Sequence, residues 1–263
     1  MGKLILNDEE KVLAARAEDL LQRCRQNSVP VFTEFLSDRE KQIITEKAAE
    51  IGALDSLTVF GGYEDAERTV AGFFPEYYAY LEKEELYAEF PITALKIQCS
   101  GFREHNHRDY LGSILGLGIE RFVIGDIIVG DNGYEATVFV HKRIVGFITE
   151  NLRLIGRDGI KITECPQGNA LEIKRSFELI TGTVASFRID ALISEVLNLS
   201  RDKSVKLTEA GLVSINHAVV TEKSEEVLQG DVFTVRGYGK YRLSNIGDTN
   251  RKGRIRFEVQ KYI

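Results

Sequence analysis

The chain has 263 residues, 43% hydrophobic and 28% charged, enough apolar material for two or three cores, and this excludes wholesale disorder. No apolar run approaches the roughly 18 residues that a membrane helix needs, and the first ten residues turn acidic too early for a signal peptide. The formal net charge of −6 argues, taken whole, against a nucleic-acid partner.

That charge is unevenly spread. Residues 1–80 carry 9 basic and 15 acidic groups, residues 81–180 carry 12 and 15, and residues 181–263 carry 13 and 10. Between Arg236 and Lys261, eight basic residues face only Asp248 and Glu258. The acid is in front and the base behind. Cys24, Cys99 and Cys165 are too far apart in sequence for a disulfide framework or a metal knuckle, so a reducing, cytoplasmic setting is expected.

Along the chain, Val12, Leu13, Leu20 and Leu21 share one stripe of a helix from Asn7 to about Arg25. A second helix is expected over 38–50, with Ser37 and Glu40 at capping-box spacing and Gly52 as its stop. Leu57–Phe60 and Thr69–Phe74 read as short strands, separated by Gly61-Gly62-Tyr63-Glu64-Asp65-Ala66-Glu67-Arg68.

The middle third reads strand, helix, strand, strand, helix, strand. The pieces are 95–99, 109–117, 126–129, 135–140, 142–155 and 160–165. Asp109 is expected to cap the first helix, and Gly130-Asp131-Asn132-Gly133 marks a hairpin. The order is that of a ferredoxin-like split βαβ domain, shared by RNA-recognition modules and by many unrelated proteins. Phe139 is the sole aromatic on the third strand, a thin basis for base stacking.

In the last third, Ile189, Leu192, Ile193, Val196 and Leu197 make the stripe of a short helix. Ser200 caps a second helix that ends at Gly211, and strands follow at 213–215, 219–221, 231–236 and 254–259. Asn216-His217 occupies a tight turn. The expected architecture is α+β, with an N-terminal α/β unit (1–80), a ferredoxin-like middle domain (81–180) and a C-terminal domain (181–263).

The residues that carry chemistry cluster at the end. Arg188 enters the first helix of the C-terminal domain, Arg201 opens the second, and Lys203 and Lys206 share a face beyond it. Helix N-termini and arginine forks both suit phosphate oxygens. The plain alternative for Arg188 and Arg201 is a pair of salt bridges to Asp190 or Asp202. Asp190 itself reads as a cap or an arginine partner, and Asn216 as a turn residue before a base reader.

The strings Phe187-Arg188-Ile189-Asp190, Leu199-Ser200-Arg201, Gly211-Leu212-Val213-Ser214-Ile215-Asn216 and Gly230–Arg236 resemble the RNA-binding domain named after small-subunit ribosomal protein S-four. The resemblance covers about 80 residues and implies two helices on a small antiparallel sheet. It also implies RNA contacts from Arg188, Ser200, Arg201, Lys203, Ser204, Lys206, Asn216, His217, Arg236, Lys240 and Arg242. His217 stands where glycine is usual, Thr208 where an aliphatic residue is usual, and Leu212 where a basic one is common.

A second string, His107-Arg108-Asp109-Tyr110-Leu111-Gly112, with Gly61-Gly62-Tyr63, Ala66-Glu67-Arg68 and Ile124-Gly125-Asp126-Ile127, extends the likeness to nearly the whole chain. Together with the C-terminal domain it resembles the YlmH family of bacterial RNA-binding proteins. That resemblance implies binding to a large ribosomal subunit carrying an obstructed peptidyl-tRNA, in rescue of stalled translation, and association with cell-division genes. The residues alone leave His107 and Arg108 open between a second RNA contact and a capping network.

No cofactor loop, phosphate loop, metal spacing or nucleophile arrangement is legible: Gly112, Gly116 and Gly118 lie in or after a helix, and His105 and His107 lack a third ligand. The expectation is a monomeric, non-catalytic RNA-binding protein without cofactor or membrane insertion. Its partners are rRNA or tRNA and the large subunit, with a protein partner possible for the acidic front. The alternatives are a cell-division factor acting through such a partner, or an RNA-modifying enzyme.

Overall fold

The computed structural model describes residues 6, 8–165, 177–216 and 218–262. Contacts divide the chain into two compact units, Met1–Glu172 and Ile173–Ile263, and the boundary expected near residue 80 falls inside the first.

In the first unit, α1 (Asp8–Asn27) and α2 (Asp38–Glu50) pack on an antiparallel sheet of β1 (Val31–Phe32), β2 (Leu57–Phe60) and β3 (Val70–Phe73), ordered β1-β3-β2. Ala17, Leu20, Leu21 and Cys24 of α1 meet Ile44 and Ala48 of α2 over Ala71 and Phe73 of β3. The start of α2 follows its local sequence: the Glu40 amide donates to the Ser37 hydroxyl, and the Ser37 amide donates to the Glu40 carboxylate at 2.6 Å. Gly52, at φ +65°, turns the chain away just past its end. A further short helix, α3 (Lys83–Glu89), begins where Glu82 and Glu85 close a capping box, a role the acidic sequence there did not suggest.

Then come β4 (Ile92–Cys99), α4 (His107–Leu115), β5 (Ile124–Val129), β6 (Glu135–His141), α5 (Val145–Asn151), β7 (Leu154–Ile155) and β8 (Asp158–Cys165). The sheet is antiparallel throughout, in the order β5-β6-β4-β8-β7. One face buries Leu95, Ile97, Val138 and Val140 under Tyr110 and Ile114 of α4 and Ile148 of α5.

The single helix expected over 142–155 is a 3-10 turn (Lys142–Ile144), then α5, then β7. Asn151 Nδ2 donates to the Phe147 carbonyl, Leu152 turns extended, and Ile155 pairs with Asp158 in a tight hairpin. Ile148, Leu152 and Ile155 still reach the core, since a short helix and a strand deliver the same residues to it as one helix would.

Around β5 and β6 the other sheet face is covered by the unit's own N-terminal elements, while Gln98, Lys161 and Thr163 of β4 and β8 remain exposed. Tyr63 stacks on Phe139 at 4.9 Å, the Phe35 ring lies against Gly125, and a Cβ on Gly62 would sit 2.3 Å from the Phe139 ring. Phe139, weighed above as a base-stacking residue, is 1% exposed and out of reach of a base.

The second unit contains β9 (Phe177–Val184), α6 (Ile189–Val196), α7 (Arg201–Glu209), β10 (Val213–Ile215), β11 (Ala218–Val220), β12 (Val232–Val235), β13 (Gly239–Thr249) and β14 (Ile255–Tyr262). They form a six-stranded antiparallel sheet, β11-β10-β12-β13-β14-β9. Ile189, Leu192, Ile193 and Val196 of α6 pack on Phe233, Tyr241, Leu243, Phe257 and Val259 of its inner face. Strands β9 and β13 were not legible in the sequence.

Candidate nucleic-acid interface

The two helices of the second unit meet at one carboxylate. Backbone pairing of Ile189 with Glu225 and of Val227 with Phe187 fixes the entry to α6, with Arg188 at its N-cap. Within the first turn, the side chain of Asp190 is only 3% exposed. Its Oδ1 and Oδ2 accept from Arg188 Nε and Nη2, both at 3.2 Å, and Arg201 Nη2 approaches the same Oδ2 at 3.3 Å. The guanidinium-bearing side chains remain 40% and 53% exposed. Asp190 is therefore the arginine partner that the sequence left open, and Asp202 is not.

Ser200 caps α7 through the Lys203 amide at 3.3 Å. Lys203 and Lys206 project from the exposed side of α7, while Ser204 and Thr208 are buried on the other. Ser204 was expected to touch RNA; its hydroxyl is enclosed and donates to the Ser200 carbonyl, so that expectation is corrected. Thr208 fits an aliphatic position because its hydroxyl is spent on the Ser204 carbonyl at 3.0 Å. Lys203 Nζ lies 5.8 Å from the Tyr238 ring, which ties α7 to the β12–β13 turn beside exposed Arg236.

Asn216, at φ +46°, is committed to its turn: Nδ2 donates to Asp231 at 2.8 Å and Oδ1 accepts from the Val232 amide at 3.0 Å. Asn216 thus sits as the turn residue that the sequence favoured. His217 lies outside the described residues. Lys240 and Arg242 stand elsewhere, on the sheet face opposite the helices, where Lys240 Nζ is 5.1 Å from the Tyr262 ring. Two cations of the basic tail are neutralised within the unit: Arg254 pairs with Glu195 and Lys261 with Glu178.

In the first unit the 61–68, 107–112 and 124–127 strings converge. Asp126 accepts from Tyr63 Oη at 2.6 Å and from the Glu67 and Arg68 amides at 2.7 and 3.0 Å. Arg68 donates to the carbonyls of Ile124 and Phe35, and Arg121 to those of Ile124 and Gly125. Burial, then the proximity of Arg68, pushes the Arg121 guanidinium down to about 10. Desolvation, then Arg121, lowers the imidazole of His107, which is itself exposed. Arg108 is exposed. The cap of α4 is Asn106, with Asp109 at the third position of a capping box, so the expected Asp109 cap is displaced by three residues.

Below the loop before α4, His105 Nε2 meets Asp158 Oδ2 at 2.8 Å with both side chains buried. Burial alone would raise the Asp158 carboxyl, but the His105 ring and the Arg103 amide outweigh it and hold it below the usual carboxylate range. A depressed folded value stabilises the fold above the unfolded pKa and is lost as pH falls through the folded one. Acid denaturation followed below about pH 4 is therefore expected to flatten in Asp158→Asn relative to the parent chain.

Among the described residues no cluster of three or more His, Cys, Asp or Glu is placed to hold a metal, and no helix is long and apolar enough to cross a membrane.

Residues 86–169 match the family described as "Putative RNA-binding domain in YlmH". The chain is 32% identical over 233 residues to the ribosome-associated protein quality control protein P2 of Bacillus subtilis (strain 168), which covers 87% of each chain. In fold it is similar to the cell division protein ylmH from Streptococcus pneumoniae, with a TM-score of 0.51 at 20% identity over 63% of this chain and 96% of that one. With the relative aligned across both compact units, the chain belongs to the YlmH family.

Proposed function

We propose that this protein is a non-catalytic RNA-binding factor of ribosome-associated quality control. Its second unit is read as an S-four-type domain and residues 86–169 as a ferredoxin-like one. The observation that carries the reading is the buried Asp190 carboxylate holding Arg188 and Arg201 half-exposed at the junction of two helix starts, with Lys203 and Lys206 beyond them. Paired guanidinium forks are suited to the phosphates of structured RNA, read by shape and backbone. The relative's name supports a ribosomal setting, and within it we read tRNA or rRNA on the large ribosomal subunit as the target, in the cytoplasm. The acidic front then faces protein or orients the molecule, away from the phosphate backbone.

Salt titration tests this. With about six phosphates engaged, log K is expected to fall with log salt at a slope near −4 to −5. Changing Arg188, Arg201, Lys203 and Lys206 together to alanine should leave a slope of about −1 to −2. A companion variant, Lys203→Ala with Lys206→Ala, keeps Asp190 paired and should flatten the slope by about 1 to 2. Binding of tRNA and large subunits with an unchanged slope in both variants would sink the assignment. Recovery of division proteins without ribosomal components at low salt would replace it with the protein-partner reading.

A further inference from the structure

In the stretch matching the RNA-binding family, Tyr63, Gly62 and Phe35 cover the β5–β6 part of the outer sheet face, around Phe139, and the part left exposed carries Lys96, Gln98, Lys161 and Thr163 without an aromatic ring. A base that is to stack on this stretch needs an aromatic other than the buried Phe139. At one edge, the loop joining β4 to α4 lies against the hairpin of β7 and β8. Phe102, at the loop's tip, is 86% exposed. Arg103 beside it is 58% exposed and reaches across to Gly156 in the hairpin turn, with Asp109 at 3.4 Å. Arg108 is exposed at the start of α4, Arg157 at the hairpin tip and Arg153 at its base.

This loop is held in place. The Ser100 amide donates to Gly159, the Arg103 amide to Asp158 and the His105 amide to Gly133. Beneath it, the buried His105–Asp158 pair joins the loop to the hairpin at 2.8 Å, and His105 Nδ1 lies 3.7 Å from Asp109. A buried polar pair is weak support for stability in itself, so its use here is to fix one geometry. The geometry it fixes displays an uncovered aromatic ring among arginines. Arg103, Arg108, Arg153 and Arg157 face Glu104 and Asp109, in a third of the chain whose own balance is 12 basic to 15 acidic residues.

We infer that this edge is a second RNA contact, taking an unpaired nucleotide whose base stacks on Phe102 while Arg103, Arg108 and Arg157 hold the flanking phosphates. An apolar peptide has no use for four arginines, whereas stacking plus cations is the chemistry of single-stranded nucleic acid. The inference rests on the RNA-binding function proposed above but assigns a surface in the other unit.

The test uses the full chain and a fluorescein-labelled single-stranded RNA of about 12 nucleotides, with deacylated tRNA as a second probe. Phe102→Ala is expected to weaken oligonucleotide binding about 5- to 100-fold, as loss of one stacked base does. Phe102→Tyr should restore it. Phe102 is exposed, so folding is not at risk, and far-ultraviolet dichroism should be unchanged. Ultraviolet crosslinking should map to the peptide carrying Phe102. If tRNA binds with its salt slope intact while Phe102→Ala leaves oligonucleotide affinity unchanged and no crosslink maps to residues 100–108, this contact is overturned and the C-terminal grip stands. If the parent chain binds neither probe, both fall. If Phe102→Ala impairs co-sedimentation with ribosomal subunits but not oligonucleotide affinity, the edge binds protein, and the RNA assignment is overturned.

Discussion

Replacing Asp126 with alanine is expected to destabilise the first unit by about 3–5 kcal/mol, the size seen when one partner of a buried ionic cluster is removed. The side chain is 8% exposed and takes bonds from Tyr63 Oη, the Glu67 amide and the Arg68 amide. Without it, those donors lose their acceptor, each at about 1–3 kcal/mol if it stays dry. Arg68 and Arg121, both with guanidinium values depressed by burial, lose the nearby negative charge that opposes that depression. These losses overlap and do not add, so the lower figure governs. Asp126→Asn keeps the volume and one acceptor oxygen and should cost less. Because a chain of two units need not unfold in one step, the measurement is urea unfolding read by hydrogen exchange on peptides from each unit. Peptides from 8–165 should lose protection at lower urea, and those from 177–262 should not. Equal shifts in both would show that Asp126 acts on more than its own unit.

The same cluster shows what the sequence could and could not convey. The Gly61–Arg68 and Ile124–Ile127 strings were visible as motifs, but about sixty residues separate them. Their meeting depends on the packing of one sheet upon another face, which no local pattern encodes. Caps behaved differently. Ser37, Ser200 and Gly52 act over three or four residues, and each sits where spacing placed it. Strand β13 escaped notice for the opposite reason. Its run from Gly239 to Thr249 contains Gly247, Asn245 and Asp248, poor strand formers, and two register shifts against β14. It is a strand because β12 and β14 flank it. At the candidate interface, the polar and cationic contacts are legible by residue type, whereas burial sorts them: Ser204 goes inward, Lys240 and Arg242 to another face, and Arg188 and Arg201 to a shared acid.

That shared acid yields the sharper functional expectation. Asp190→Ala removes a negative charge from a stretch, residues 181–263, with 13 basic and 10 acidic residues, and takes the whole chain from −6 to −5. If affinity for RNA followed net charge, the variant would bind more tightly. The geometry demands the reverse. Asp190 anchors Arg188 through two bonds of 3.2 Å and Arg201 at 3.3 Å, so both forks are oriented before RNA arrives. Released, the two like charges separate, and each must be ordered again on binding at about 0.5–1.5 kcal/mol per side chain. Together that is about 1–3 kcal/mol, or roughly 5- to 150-fold weaker binding. The number of phosphates neutralised does not change, so the salt slope should stay at its parent value while the intercept drops. The expected signature is thus weaker binding at every salt concentration with parallel lines, measured on tRNA by fluorescence anisotropy. Tighter binding, or a flattened slope, would mean that Asp190 is a mere counter-charge and that the arginines find phosphate without it. Parallel, weakened lines would establish that the position of two cations, and not the charge of the chain, sets its affinity.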